Sequence, residues 1–175
     1  MTDAFTTLGL PPMASLSEEQ VRAAYFEKSK IADADNAGLN EAFERLLAPD
    51  KRLKHLIDIA GPPEAKQWRT VAMGEDLMEL FMALGKVRPE AEALIDKRQK
   101  TQSALGLALL EKQTFAVRDS LEQTGFALDQ KRQDLEAELP ALGDHDWPRL
   151  AEAQARFTYL AKWQTQVREL LLKLM

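Results

Sequence analysis

The 175-residue sequence predicts an all-α protein, a small helical unit followed by an antiparallel three-helix bundle. Three observations predict it. Helix formers occur almost throughout, valines are few and no long run alternates apolar with polar residues, so the period-2 signature of a strand is missing. Proline and glycine fall in clusters that punctuate the apolar periodicity, at Pro49 and at Gly61-Pro62-Pro63. Toward the C-terminus, Leu150, Ala153, Phe157, Leu160, Gln164, Val167, Leu171 and Leu174 recur at strict three–four spacing. All but Gln164 are apolar, which is the seam of a coiled-coil-like helix.

The first helix is expected from Ser17 to about Ala32. Ser17 and Gln20 have capping-box spacing, Leu16 and Val21 flank them as a hydrophobic staple, and Val21, Ala24, Tyr25 and Ile31 share the buried side. Asn36-Ala37-Gly38 reads as a short break. The second helix carries Leu39, Ala42, Phe43, Leu46 and Leu47 and stops at Pro49, whose ring and missing N–H oppose continuation. Pro49 in turn can open a third helix with Leu53, Leu56, Ile57 and Ala60, ending at Gly61-Pro62-Pro63. A domain boundary is expected here, with residues 1–61 as one domain, 62–70 as linker and 71–175 as the bundle. In the bundle, Leu77, Leu80, Phe81 and Leu84 form a stripe expected to end near Gly85. A long helix is then expected from about Pro89 to Leu139, bent near Gly125, with Leu121, Leu128, Leu135 and Leu139 along its seam. The last helix opens near Asp146 and Pro148.

Composition excludes several functions. A net charge of -5 argues against general phosphate-backbone binding, which needs a basic footprint. There is no cysteine, so disulfides, thiolate metal sites and cysteine nucleophiles are absent. The two histidines, His55 and His145, lie far apart in sequence. His55 is expected on a helix surface and His145 in an acidic loop, neither as a metal ligand. No HExxH, GxGxxG, GxxxxGK or GxSxG pattern occurs. Acidic pairs such as Glu18-Glu19 and Glu136-Glu138 fall on helix surfaces or first turns, where they favour the dipole or solubility. No enzyme, metal or cofactor is therefore expected. The N-terminal residues lack a signal-peptide pattern and no window is long and apolar enough to span a bilayer, so the expected location is cytoplasmic, with neither nucleic acid nor membrane as partner.

Four pieces in order give the first third a resemblance to the J-domain, in the version found in HscB-type co-chaperones. They are Asp3-Ala4-Phe5-Thr6 with Gly9-Leu10-Pro11; Leu16-Ser17 with Val21 and Tyr25; Leu39-Asn40-Glu41-Ala42-Phe43 with Leu46; and Pro49-Asp50-Lys51-Arg52 with Leu56-Ile57 and Gly61. His55 stands in the place of the family's tyrosine. In the bundle, Leu77-Met78-Glu79, Trp147, Phe157 and Leu160 fall where the family has comparable residues. The resemblance implies a J-domain-like helical hairpin ahead of an HscB-like three-helix bundle.

It also implies what has been lost. Counted from Tyr25, the family's His-Pro-Asp signature falls on Asp33-Ala34-Asp35, so only the aspartate is kept, and the following loop is cut to Asn36-Ala37-Gly38. In the family, that tripeptide and the basic face of the preceding helix engage a DnaK-type ATPase. By resemblance Arg22, Lys28 and Lys30 would face the chaperone, opposed by Glu18, Glu19, Glu27 and Asp33. Leu77, Met78, Phe81 and Met82 would face an iron–sulfur scaffold partner, although Leu77 and Phe81 read equally as core. The reading that follows is a degenerate, non-enzymatic HscB-like protein that binds or scaffolds a protein partner without stimulating a DnaK-type ATPase. Two alternatives stand beside it: an active co-chaperone in iron–sulfur cluster assembly, and a self-associating structural protein, a homodimer paired through the Gln164 seam and exposed methionines.

Overall fold

The computed structural model describes residues 3–31, 36–67, 73–143 and 145–175. Among these residues there are seven α-helices, one 3-10 turn (Pro63–Gln67) and no strand. The helices are α1 (Ala4–Leu8), α2 (Glu18–Ser29), α3 (Asn36–Leu47), α4 (Pro49–Ala60), α5 (Glu75–Lys100), α6 (Ala104–Leu142) and α7 (Trp147–Lys173). Two compact units emerge. One is Met1–Val71 with Asp134–Thr158, the other Ala72–Gln133 with Tyr159–Met175. The first unit thus takes in the residues ahead of the expected linker together with stretches of α6 and α7.

In the first unit α1 is a helix that periodicity does not reveal, because five residues are too few to show a stripe. Its caps make it. Asp3 accepts from the Phe5 amide (3.0 Å), and Gly9 closes the helix in the left-handed region at φ 70°. Phe5 and Leu8 are buried against α3 and α2. At α2 both arms of the expected capping box are present: the Gln20 amide donates to Ser17 Oγ (3.1 Å) and the Ser17 amide to Gln20 Oε1 (2.8 Å). The helix stops at Ser29, short of Ala32, so Ile31 lies beyond it and is exposed rather than buried. Val21 is fully buried, as its position in the staple requires.

Asn36-Ala37-Gly38 is not a break but the first turn of α3. Glycine gives up only its weak helix propensity there, which the packing of the apolar face of α3 overrides. Pro49 acts in both expected senses. It ends α3 at Leu47 and sits in the first turn of α4, with Ala48 extended before it. α4 ends at Gly61, whose N–H bonds the Ile57 carbonyl.

In the second unit the expected interruption at 85–89 does not occur. α5 runs unbroken through Gly85 and Pro89 to Lys100, and the chain turns at Thr101–Ser103 instead. Gly85 and Pro89 both lie on the exposed face, so the Gly85 carbonyl that lost its partner N–H at Pro89 can bond water. On the opposite face Leu77, Leu84, Val87, Ala91 and Leu94 form one buried seam across the proline. That continuous burial outweighs the roughly 3 kcal/mol a proline costs inside a helix. Polar contacts fix the register. Asp76 pairs with Lys131 and Arg98 with Thr114, so α5 and α6 are antiparallel; Asp129 meets Gln164 and Gly125 lies beside Val167, so α6 and α7 are too. Leu121, Leu128, Leu160 and Val167 are buried.

Candidate functional site

The exposed face of α2 carries the first candidate surface. Arg22, Phe26 and Lys30 are spaced four residues apart and so share one side. The Arg22 guanidinium bonds Glu18 (2.8 Å) and lies over the Phe43 ring of α3 (5.9 Å to its centroid). Lys30 bonds Glu27 (2.8 Å) and sits over the Phe26 ring (4.5 Å). Phe26 is 61% exposed, while Tyr25 turns to Phe43 (4.4 Å) and donates its hydroxyl to Asn40 (2.6 Å). Lys28 departs from this group. Its Cε lies 3.3 Å from where a Cβ on Gly9 would stand, so it covers the turn after α1. Of the three cations singled out from the sequence, the structure therefore brings two together, each already paired with an acid one helical turn away. Phe26 was not singled out, though the 22–26–30 spacing marks it, and Phe43 was read only as an apolar residue of its helix and of a family-like motif. Asp33, Ala34 and Asp35 lie outside the described residues.

Elsewhere in the first unit two polar side chains, Arg52 and His55, are buried. Arg52, 2% exposed, donates to the Leu46 carbonyl (2.8 Å) at the end of α3 and to the Ala14 carbonyl (3.2 Å) in the α1–α2 connection. Burial pulls its pKa below the usual arginine value, while Glu136 opposes the shift. His55, expected on a surface, is 2% exposed and is stacked on Phe5 (5.6 Å). Its Nε2 accepts the Ala4 N–H (3.0 Å). Asp3 Oδ1 lies 3.2 Å from the same Nε2. His55 thus anchors the N-terminus of α1, a place that a helix reading of α4 alone leaves on the outside. His145 is exposed and meets Trp147 edge-on (5.9 Å).

The second candidate surface lies on α5. Leu77 is fully buried and belongs to the core. Met78, Phe81 and Met82 point outward, at 43%, 48% and 56% exposure, on one side of the helix. The Phe81 ring rests 5.7 Å from Trp163 of α7, which in turn stacks on Tyr159 (5.8 Å). Trp163 itself is buried and, with Tyr159, forms an aromatic ledge on which the half-exposed Phe81 rests. Trp163 and Tyr159 were not singled out from the sequence, because they flank the apolar seam rather than forming it. Such a surface suits an apolar protein face: aromatics give anchored area and methionines adapt to irregular shapes.

The fold is all-helical and of the HscB-like helical class. Among solved structures it is similar to the chaperone HscB from Vibrio cholerae, with a TM-score of 0.53 and 16% identity, covering 99% of this chain and 100% of that one. No family model matches the chain, and no curated protein matches it. The likeness is therefore one of fold. Among the described residues no helix is long and apolar enough to cross a membrane.

Proposed function

We propose that this is a non-enzymatic, HscB-like protein-binding module that engages a protein partner through α5 and does not stimulate a DnaK-type ATPase. The observation that carries the reading is the α5 surface, where Met78, Phe81 and Met82 are exposed beside the Trp163 ledge although a monomer gains nothing by leaving them in water. The proposal that stimulation is lost rests on the aligned Asp33-Ala34-Asp35 and on the pairing of Arg22 and Lys30 with Glu18 and Glu27. Those pairs dilute the positive potential that an acidic chaperone surface would recognise. By resemblance the partner at α5 is an iron–sulfur scaffold protein. Titration calorimetry against such a scaffold tests this. The wild-type chain should bind, and replacing Met78 and Met82 by aspartate should abolish binding without lowering the melting temperature. Unchanged affinity in that variant removes α5 as the contact.

A second reading, an active co-chaperone, is favoured by one observation: Arg22, Phe26 and Lys30 share an exposed face. Stimulation of ATPase turnover that alanine at Arg22, Lys28 and Lys30 abolishes would establish it.

A further inference from the structure

In the first unit, α3 and α4 wall a pocket of about 370 Å³ that neither candidate surface uses. Glu41, Glu44 and Arg45 line it from α3; Lys51, Lys54, His55 and Asp58 line it from α4. These positions recur three and four residues apart, so each set shares one face of its helix. Arg45 is paired with Glu41. Among the described residues Glu44, Lys51, Lys54 and Asp58 have no hydrogen-bond or ion-pair partner. The pocket therefore gathers two unpaired carboxylates and two unpaired ammonium groups. Lys54 and Asp58 stand one helical turn apart, at a spacing that allows pairing, and do not pair.

One lining residue is buried. His55 borders the pocket yet is only 2% exposed. Its Nε2 is taken up at α1 by the Ala4 N–H and Asp3, and no residue of α1 lines the pocket. Nδ1 falls on the ring edge away from α1, toward the pocket, and it has no hydrogen-bond partner. That atom is closed to bulk water, so solvent does not satisfy it either. Nearly all buried polar side-chain atoms in folded proteins have a partner, and an orphan calls for an ordered water or a ligand group. Lys51 and Lys54 are exposed, flexible four-carbon stems that can turn aside for one.

We propose that the α3–α4 pocket binds a small zwitterion of the amino-acid class. The ligand's carboxylate meets Lys51 and Lys54, its ammonium group meets Glu44 and Asp58, and its inner end meets His55. The balance of charges disfavours simpler ligands. A phosphate would face two uncompensated carboxylates, and a plain amine two uncompensated ammonium groups. Among the described residues no cluster of histidine and carboxylate side chains is placed to hold a metal ion. The volume lies near the lower end of the ~300–1,000 Å³ of small-molecule pockets, which suits a single amino acid. A zwitterion also carries both N–H donors and carboxylate acceptors, so it serves Nδ1 in either tautomer of the ring. The site is independent of the α5 surface.

Imidazole NMR of the full chain tests the site. The chain has two histidines, and the exposed His145 serves as the internal reference. The common L-amino acids are added one at a time at constant pH. At least one should move the His55 ring signals saturably and leave those of His145 in place. The matching amine without its carboxylate, and the matching acid without its amine, should each bind roughly tenfold more weakly or worse. Lys51→Gln with Lys54→Gln should weaken binding by a similar factor at an unchanged melting temperature, and so should Glu44→Gln with Asp58→Asn. If no amino acid moves the His55 signals, the proposal is overturned and Nδ1 is left to an ordered water. Equal shifts at both histidines overturn it too, as does binding that a half-ligand matches or that both double variants retain.

Discussion

Asp3, Arg52 and His55 carry more of the first unit than their chemistry advertises. Asp3 caps a five-residue helix that no propensity could sustain alone. Burial raises its carboxyl pKa, but the Thr6 hydroxyl, the Phe5 amide and the His55 contact outweigh this and hold it below the ordinary 3.8. A depressed folded pKa means that the contribution is complete above the unfolded value and is lost as pH falls through the folded one. Asp3→Ala should therefore cost about 1 kcal/mol at neutral pH. Thermal melts of wild type and variant should converge only below the ordinary aspartate range. Arg52→Met should cost on the order of 3 kcal/mol by chemical denaturation, because the buried carbonyls of Leu46 and Ala14 lose a charged donor while the apolar stem is kept. Arg52 was legible as part of a motif, yet its task was not, since it joins residues that are 38 and 6 apart in sequence.

At the scale of elements, the sequence was most legible where local chemistry decides. The Ser17–Gln20 capping box, the Pro49 boundary and the α7 seam all follow from neighbours within a turn or two. It was least legible where burial on one face competes with a breaker on the other. Gly85 and Pro89 are strong stop signals, but they sit on the solvent side of a seam from Leu77 to Leu94 that keeps α5 whole. The same geometry predicts a gain. Gly85 is helical, and a Cβ there would meet nothing within 4 Å. Gly85→Ala should raise stability by about 0.5–1 kcal/mol, seen as a higher denaturation midpoint at an unchanged denaturant slope. No change, or a loss, would mean that α5 is not continuous there. Of the candidate surfaces, Met78 and Met82 were legible as adaptable side chains, but Trp163 and Phe26 required the helices to be assembled.

For the whole molecule, the fold likeness to HscB and the altered positions pull in different directions. An HscB-like helical fold is kept at 16% identity. Within it the basic face of α2 has its own acids as counterions, and an apolar surface remains on α5. The proposed binding module that does not stimulate a DnaK-type ATPase accounts for both. The most direct test is the steady-state ATPase rate of a DnaK-type chaperone with and without the full chain. The account predicts an unchanged rate at saturating concentrations of the chain, and equally for the variant with alanine at Arg22, Lys28 and Lys30. A clear stimulation that this variant loses would contradict it.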